Sequence, residues 1–413
     1  HRPQPLPAKM ERRGRGRGRG RGGRGRAQNK RKGGEEPGAV ASPAEMQAQA
    51  QSHKHKHLKQ QQPGKEEEAF LYPVMEANLH AQGDAAILPH ILLQDFSPRV
   101  ATVDGVEFQC GRGDLINEGW SMDADKWMEF LSPSNTTFCV VGCLGSQGVG
   151  KSSILSSLGK LSEVVEFPRQ TPFHQSHFRA CTWGVNMCTT ATTDRLLLLD
   201  TQPVDSLSLA AALLKDRVEA PPSWGCHSVE NTVEFQSLQM AMFLLQACDV
   251  LLLVLDELFD ESVVRLLLRA DLLCQRDPAD RADIVVVFNR MDDSCVETHQ
   301  KVAASFRSLQ ELFQCTGGWG SCKADSSLEY WCCVPPFKKS DRESAQLHHA
   351  AIQSLANLVE GACSRSRKRR PARSSLSEQQ WLASSQKWHA DLERSNLVML
   401  FNTILQGHGH VQV

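Results

Sequence analysis

A glycine-rich stretch with one lysine and one serine carries the clearest chemical signal in this chain. It follows the spacing G-x-x-x-x-G-K-S, whose fixed positions are Gly145, Gly150, Lys151 and Ser152. Glycines at this spacing let the backbone wrap tightly, so that successive N–H groups converge on phosphate oxygens. The lysine would contact the outer phosphates of a nucleotide, and the serine hydroxyl would be a ligand of Mg²⁺. A turn that only resembles such a loop is the alternative interpretation.

The flanking residues predict the strand and the helix that this loop needs. The run TTFCVVGCL before it is short, apolar and β-branched, which is typical of a buried strand over residues 138–143. After it, Ile154, Leu155 and Leu158 recur at helical spacing, and a helix here would point its positive end at the phosphate. This order favours a phosphate-binding loop. The predicted nucleotide contacts are therefore Gly145, Ser146, Gln147, Gly148, Val149, Gly150, Lys151, Ser152 and Ser153.

An aspartate follows the next apolar run, at residues 196–199, and completes the predicted metal site. The sequence Asp200-Thr-Gln-Pro stands where GTP-binding domains carry D-x-x-G. The aspartate of that element reaches Mg²⁺ through water, so Ser152 and Asp200 are the predicted metal residues. The alternative role for this aspartate is a turn residue at a strand end.

Two departures near this aspartate predict that the chain is not an enzyme. Pro203 replaces the glycine whose N–H senses the γ-phosphate, and proline has no N–H to donate and a fixed φ. Val204 stands where GTPases carry the glutamine that orients the attacking water, and valine cannot position a water molecule. We therefore expect weak or absent hydrolysis.

A candidate base contact follows the predicted strand at residues 284–288. Asn289, Arg290, Met291 and Asp292 resemble the N-K-x-D element, with arginine in place of lysine. In that element the aspartate accepts hydrogen bonds from guanine and the asparagine braces the loop, so Asn289 and Asp292 are predicted nucleotide residues. The choice between GTP or GDP and ATP stays open. The candidates for a switch threonine are Thr182, Thr189 and Thr190.

From residue 136 onward, short apolar runs alternate with helical patterns. This alternation predicts an α/β fold of the P-loop, G-domain-like type, with a mostly parallel sheet flanked by helices. The predicted strands cover residues 138–143, 196–199, 250–255, 284–288 and 331–334. The predicted helices cover residues 207–214, 232–247, 261–274, 302–312 and 342–362.

The remaining chain divides by composition. Residues 1–68 form an Arg/Gly-rich arm with almost no apolar residues, which predicts disorder and either RNA contact or a solvated tail. Residues 69–135 lead in to the G-like domain at 136–363, with a hairpin as one option for VATVDGVEFQC. Residues 364–376 read as an exposed basic linker, with a nuclear-import or phosphate-binding cluster as the alternative. Residues 377–413 predict one long C-terminal helix and a tail, with Ser377 as its N-cap.

The hydropathy and the cysteine spacing argue against a membrane-spanning protein and against a disulfide-stabilised one. The net charge of −1 conceals segregated charge, and no apolar stretch reaches the roughly 18 residues that span a membrane. The 14 cysteines show neither a disulfide framework nor a C-x-x-C pair. We expect free core thiols, including Cys139, Cys143 and Cys248, in a reducing compartment, the cytoplasm with the nucleus as an alternative.

With these motifs assembled, the chain resembles the SMG nine protein family, G-like subunits of the kinase complex of nonsense-mediated mRNA decay. The resemblance covers roughly residues 120–405. It implies a heterodimer with a second G-like SMG subunit, and regulation of a phosphatidylinositol-3-kinase-related kinase. It also implies a nucleotide bound at the P-loop without established turnover. The segments that carry it are VVGCLGSQGVGKSS (140–153), LLLLDTQP (196–203), VEFQSLQMAMFLLQACDVLLLVLDELFD (233–260) and SEQQWLASSQKWHADL (377–392).

The leading hypothesis is a nucleotide-binding, non-hydrolysing regulatory subunit. An active P-loop GTPase or ATPase with an atypical switch is the first alternative. An RNA-binding adaptor that uses the Arg/Gly arm is the second, and its RNA affinity would fall steeply with salt.

Overall fold

The computed structural model describes eleven stretches of the chain. The predicted arm at 1–68 lies outside them, as do Asp292 and residues 69–98, 104 and 105 of the lead-in segment. The described residues are 99–103, 106–160, 167–168, 180–190, 195–216, 228–256, 258–274, 280–291, 295–315, 330–338 and 341–408.

The strands and helices alternate from the P-loop strand onward, as the sequence predicts. The strands are β1 Arg99–Val103, β2 Val106–Cys110, β3 Arg112–Ile116, β4 Phe138–Leu144, β5 Val185–Thr189, β6 Arg195–Thr201, β7 Val250–Leu255, β8 Asp283–Asn289 and β9 Trp331–Val334. The helices are α1 Ala124–Met128, α2 Lys151–Lys160, α3 Leu207–Asp216, α4 Val229–Ala247, α5 Glu261–Leu273, α6 Val296–Cys315, α7 Arg342–Arg369, α8 Pro371–Ser374, α9 Glu378–Glu393 and α10 Asn396–His408.

Among the described residues, seven strands form one sheet in the order β3-β5-β6-β4-β7-β8-β9. Strands β6, β4, β7, β8 and β9 pair in parallel, while β5 runs antiparallel to both β3 and β6. Strands β1 and β2 pair as a separate antiparallel hairpin, as VATVDGVEFQC allowed. The predicted fold class, a P-loop, G-domain-like α/β fold with a mostly parallel sheet, is confirmed.

Helices cover both faces of the sheet, which explains why its strands are apolar on both sides. Helices α2 and α7 pack on one face, and α4, α5, α6 and α9 pack on the other. Helix α4 lies between the sheet and α9, and every residue from 235 to 247 is buried. Its buried residues include Gln236, Gln239 and Gln246 beside the apolar ones, so the helix is enclosed on all sides. No helix described here combines the length and apolar character needed to cross a membrane.

The C-terminal region differs from the single long helix that the sequence predicts. Helices α9 and α10 are separated at Arg394 and Ser395, and the Ser395 hydroxyl accepts a hydrogen bond from Val398 N at 3.5 Å. Ser395 caps the N-terminus of α10, and this cap favours a break over a continuous helix. The predicted cap at Ser377 is confirmed as a capping box with Gln380, and Trp381 of α9 is fully buried.

The structure does not show the exposed basic linker predicted over 364–376. Residues 364–369 continue α7, and of the arginines that follow, Arg370 is buried and Arg373 is partly buried, both beside the start of β7. Arg370 Nη2 lies 3.1 Å and Arg373 Nε 2.8 Å from Asp249 Oδ1. Burial alone would raise the pKa of Asp249, but Arg373 and Arg370 hold it below its ordinary value. The arginines of this segment pair with buried carboxylates, which accounts for its basic composition.

One cysteine expectation is also overturned. Cys139 of β4 and Cys363 of α7 form a disulfide, although the sequence predicts Cys139 to be a free core thiol. The two residues meet because α7 packs across the face of β4, a proximity that their separation of 224 residues conceals. Cys143 and Cys248 are free and buried, as expected.

Candidate nucleotide-binding site

The glycine-rich loop joins β4 to α2, and three of its glycines are required by its geometry. Gly148 and Gly150 adopt φ angles of 80° and 97°, which L side chains rarely tolerate. A Cβ at Gly150 would lie 2.3 Å from Asn289 Nδ2, and one at Gly145 would lie 2.4 Å from Val254 O. The loop is therefore pressed against the ends of β7 and β8, with Val149 buried beneath it.

A cavity of about 220 Å³ lies beside the loop and the first turn of α2. The first N–H groups of a helix have no partner within it and are suited to an anion. Most of the predicted loop residues border this cavity. Its lining residues are Gln147, Gly148, Gly150, Lys151, Ser152, Ser153, Ala180, Cys181, Thr182, Thr201, Pro203 and Arg290.

Lys151 is the buried cation of the site. Its Nζ donates hydrogen bonds to the carbonyl oxygens of Gly145 and Ser146, at 2.9 and 3.0 Å. Burial lowers the pKa of Lys151, because the charged form loses its hydration. The loop carbonyls thus take the hydrogen bonds that phosphate oxygens would receive from this ammonium group.

The two predicted metal residues lie together. Ser152 Oγ donates to Asp200 Oδ2 at 2.7 Å, and the carboxylate is completely buried. Burial raises the pKa of Asp200, while the Ser152 and Thr182 hydroxyls and the charge of Lys151 act in the opposite direction. A fully buried carboxylate surrounded by hydroxyl groups offers the hard oxygen ligands that Mg²⁺ prefers. The residues therefore fit this metal.

No cluster of three His, Cys, Asp or Glu side chains suited to a metal occurs in the described part of the chain. Mg²⁺ at this site would therefore take most of its remaining ligands from water and from nucleotide phosphates, as it commonly does.

Only one of the three candidate switch threonines faces this site. Thr182 Oγ1 donates to Asp200 Oδ2 at 3.0 Å. Thr189 Oγ1 instead accepts from Gly111 N, and Thr190 Oγ1 accepts from Leu196 N. The Thr189 and Thr190 hydroxyls thus bond to backbone N–H groups beside β5 and β6. Of the three candidates, Thr182 is the one that contacts a predicted metal residue.

In the segment after Asp200, one residue lines the cavity and its two neighbours are buried away from it. Pro203 lines the cavity. Val204 N donates to Gly145 O at 3.2 Å, while the Val204 side chain is buried in the core. Gln202 is buried too, and its Oε1 accepts from Gly184 N at 2.9 Å. Neither Gln202 nor Val204 lines the cavity, so neither is placed to hold a water beside a terminal phosphate.

The N-R-M-D element braces the loop from the opposite side. Asn289 Nδ2 donates to Val149 O, and Arg290 Nη2 donates to Gly148 O, both at 2.6 Å. Arg290 also pairs with Asp256 at 3.3 Å and lines the cavity, a contact that the sequence did not single out. The sequence signal that could have marked Arg290 is that it occupies the lysine position of N-K-x-D. Because Asp292 lies outside the described residues, its contact with a base stays a prediction.

Two loop side chains point to partners outside every motif. Ser146 Oγ lies 2.5 Å from Asp260 Oδ2, at the N-cap of α5. Gln147 contacts the hydroxyls of Ser206 and Ser208 at the start of α3. No sequence signal marked Asp260, Ser206 or Ser208, because each becomes adjacent to the loop only in the folded chain.

Sequence comparison adds a partial match. No family model matches the chain. Over 160 residues it is 32% identical to proteins named nonsense-mediated mRNA decay factor SMG9 from Salmo salar and Xenopus tropicalis. The match covers 38% of this chain, and 31% and 30% of those relatives respectively. The aligned part of the chain thus spans less than a third of the relatives' length.

Two solved structures are similar at low sequence identity. Toc33 from Arabidopsis thaliana, a dimerization-deficient mutant, is 17% identical with a TM-score of 0.36, covering 58% of this chain and 88% of its own. Elongation factor SelB from Methanococcus maripaludis, bound to a GTP analogue, is 12% identical with a TM-score of 0.31, covering 55% and 34%. The fold assignment therefore rests on the strand order and the glycine-rich loop. Over 38% of its length, the chain is similar to SMG9 proteins.

Proposed function

We propose that this chain is a nucleotide-binding, non-hydrolysing regulatory subunit that acts in nonsense-mediated mRNA decay. One observation carries the proposal. An intact phosphate loop and a Ser152–Asp200 pair stand beside a segment in which Pro203 offers no N–H and Val204 is buried in the core.

Binding would use the chain's own groups in a fixed arrangement. The first turn of α2 directs its N–H groups at the phosphates, and Lys151 exchanges its loop carbonyls for phosphate oxygens. Ser152 and Asp200 would hold Mg²⁺, which supplies positive charge between the phosphates. The same residues join α2 to β6, so a bound nucleotide would stabilise the native fold.

The context of this function comes from the similarity to SMG9 proteins. Within that context we propose that the chain forms a heterodimer with a second G-like SMG subunit and controls a phosphatidylinositol-3-kinase-related kinase. We propose the cytoplasm as its location, with the nucleus in addition. A nucleotide that is bound but not turned over suits such a scaffold, because it fixes the shape of the domain. The Arg/Gly arm at 1–68 is a candidate RNA contact within the same assembly.

The decisive experiment measures turnover and nucleotide content on one purified full-length sample. Mass spectrometry of the co-purifying nucleotide should find a nucleoside di- or triphosphate in the wild type and much less in Lys151→Ala. Added GTP and ATP should show no turnover above the buffer rate in the presence of Mg²⁺. Hydrolysis near the rate of an assisted GTPase, about 5–20 s⁻¹, would establish the active-enzyme alternative instead.

A further inference from the structure

Gln147 lies in the nucleotide cavity with one end of its side chain held by two serines. The Ser206 and Ser208 hydroxyls each lie 2.7 Å from Gln147 Oε1, and 2.9 Å from each other. Both serines are almost completely buried, at 4% and 1% exposure. A carboxamide oxygen held at two points fixes the direction of the amide, so this side chain is positioned before any ligand arrives.

The opposite end of the amide is a hydrogen-bond donor. Gln147 Nε2 carries two hydrogens that have no acceptor among the described residues, while Gln147 borders the same cavity as Lys151 and Pro203. A lysine of this motif contacts the outer phosphates. Gln147 therefore brings a donor group to a cavity that Lys151 and Pro203 also line.

Pro203 leaves the lining of this cavity without one backbone donor. Proline has no N–H, so the segment after Asp200 cannot make the backbone contact with a γ-phosphate that glycine makes in D-x-x-G. Ser206 and Ser208, which hold Gln147, stand only three and five residues after this proline. The amide of Gln147 thus offers an N–H group from the same cavity lining as Pro203.

We propose that Gln147 Nε2 donates a hydrogen bond to the terminal phosphate of a bound nucleoside triphosphate and makes the site prefer triphosphate over diphosphate. Ser206 and Ser208 act as positioning residues for this contact. The inference rests on the proposed function, since it requires nucleotide at the loop. Hydrogen bonds to an ionised acceptor are about twice as strong as neutral ones, so one donor is enough for discrimination.

The test is calorimetric binding of diphosphates and of non-hydrolysable triphosphate analogues, with guanosine and adenosine series, to the full-length chain. The measured quantity is the ratio of diphosphate Kd to triphosphate Kd. Gln147→Met keeps the length of the side chain and removes the donor. It should lower the ratio about tenfold while the diphosphate Kd stays within about twofold.

Two further variants separate the donor from charge and from position. Gln147→Glu still accepts from both serines but presents no donor and adds a charge, so the ratio should fall further. The double variant Ser206→Ala with Ser208→Ala keeps the donor but frees the amide, and the ratio should fall about threefold. Melting without nucleotide confirms that each variant is folded.

The outcomes distinguish the two proposals. If the wild type binds no nucleotide, the proposed function fails and this inference fails with it. If the wild type binds di- and triphosphate equally, or Gln147→Met retains the wild-type ratio, the Gln147 assignment is overturned while nucleotide binding stands.

Discussion

Ser152 Oγ donates a hydrogen bond to Asp200 Oδ2 at 2.7 Å, which joins the first turn of α2 to β6. The contact follows from the topology of the sheet. Strands β4 and β6 are parallel neighbours in which Gly142 pairs with Leu199, so both strands end at the same edge. The loop leaves one strand at the level where the aspartate leaves the other. Two predicted metal residues that are 48 positions apart in the chain are thereby brought into contact.

Removing either member of this pair should abolish the effect of Mg²⁺ on nucleotide binding. Ser152→Ala loses a hydroxyl ligand, and Asp200→Asn loses the negative charge. We expect each variant to bind nucleotide about tenfold more weakly in Mg²⁺, measured by calorimetry, because a charge-assisted contact is lost. Affinity in EDTA is the control and should match the wild type. A variant that gains as much affinity from Mg²⁺ as the wild type would exclude its residue from the metal site.

Lys151→Ala should remove most of the thermal stabilisation that nucleotide gives. A ligand that binds only the native state at a hundred times its Kd stabilises it by about 2.7 kcal/mol. The wild-type melting temperature should therefore rise with saturating nucleotide and Mg²⁺, and that of the variant should stay nearly constant. Lys387→Ala, at an exposed position on α9, is the matched control and should respond as the wild type does. An equal rise in all three proteins would mean that the loop lysine does not contact the nucleotide.

The sequence predicts the parts of this site that lie at the ends of strands. Gly145 to Ser153 and Asp200 each follow an apolar run at a spacing that the phosphate chemistry imposes, so a local pattern is enough to find them. The same is true of Asn289, whose amide braces the loop as expected. These residues can be identified from the sequence because their function depends on backbone groups that are close to them in the chain.

Contacts between distant segments could not be predicted in this way. Gln147 meets Ser206 and Ser208 across 59 and 61 residues, and no motif links them. Arg370 lies in a run whose composition is typical of an exposed linker, and only its partner Asp249, 121 residues away, reveals that it is buried. Charge in a sequence gives the sign of a side chain but not the partner that compensates it.

The buried charge cluster at the start of β7 makes a stability prediction. Asp249→Ala leaves the buried Arg370 and the partly buried Arg373 without their shared carboxylate, and burial already lowers the pKa of Arg370 to about 10. Breaking one side of such a pair costs about 3–5 kcal/mol. Urea unfolding followed by circular dichroism should show this loss as a lower midpoint. Asp391→Ala, on the exposed face of α9, should change the free energy of unfolding by less than 0.5 kcal/mol, on the order of ordinary surface substitutions. A loss below about 1 kcal/mol for Asp249→Ala would contradict a structural role for the basic run.

His389 of α9 should make the fold sensitive to mild acid. It lies between Trp120 and Phe243, with ring centroids 6.2 Å from each, and burial lowers its pKa from 6.5 to about 4. The unfolded chain therefore binds a proton that the native chain excludes. Stability is complete above pH 6.5 and falls by about 3 kcal/mol as the pH drops to 4, at 1.36 kcal/mol per unit. Urea midpoints across this range should show the slope, and His389→Phe should flatten it. His349→Asn, which removes an exposed imidazole, is the control, and an unaltered slope in His389→Phe would refute the assignment.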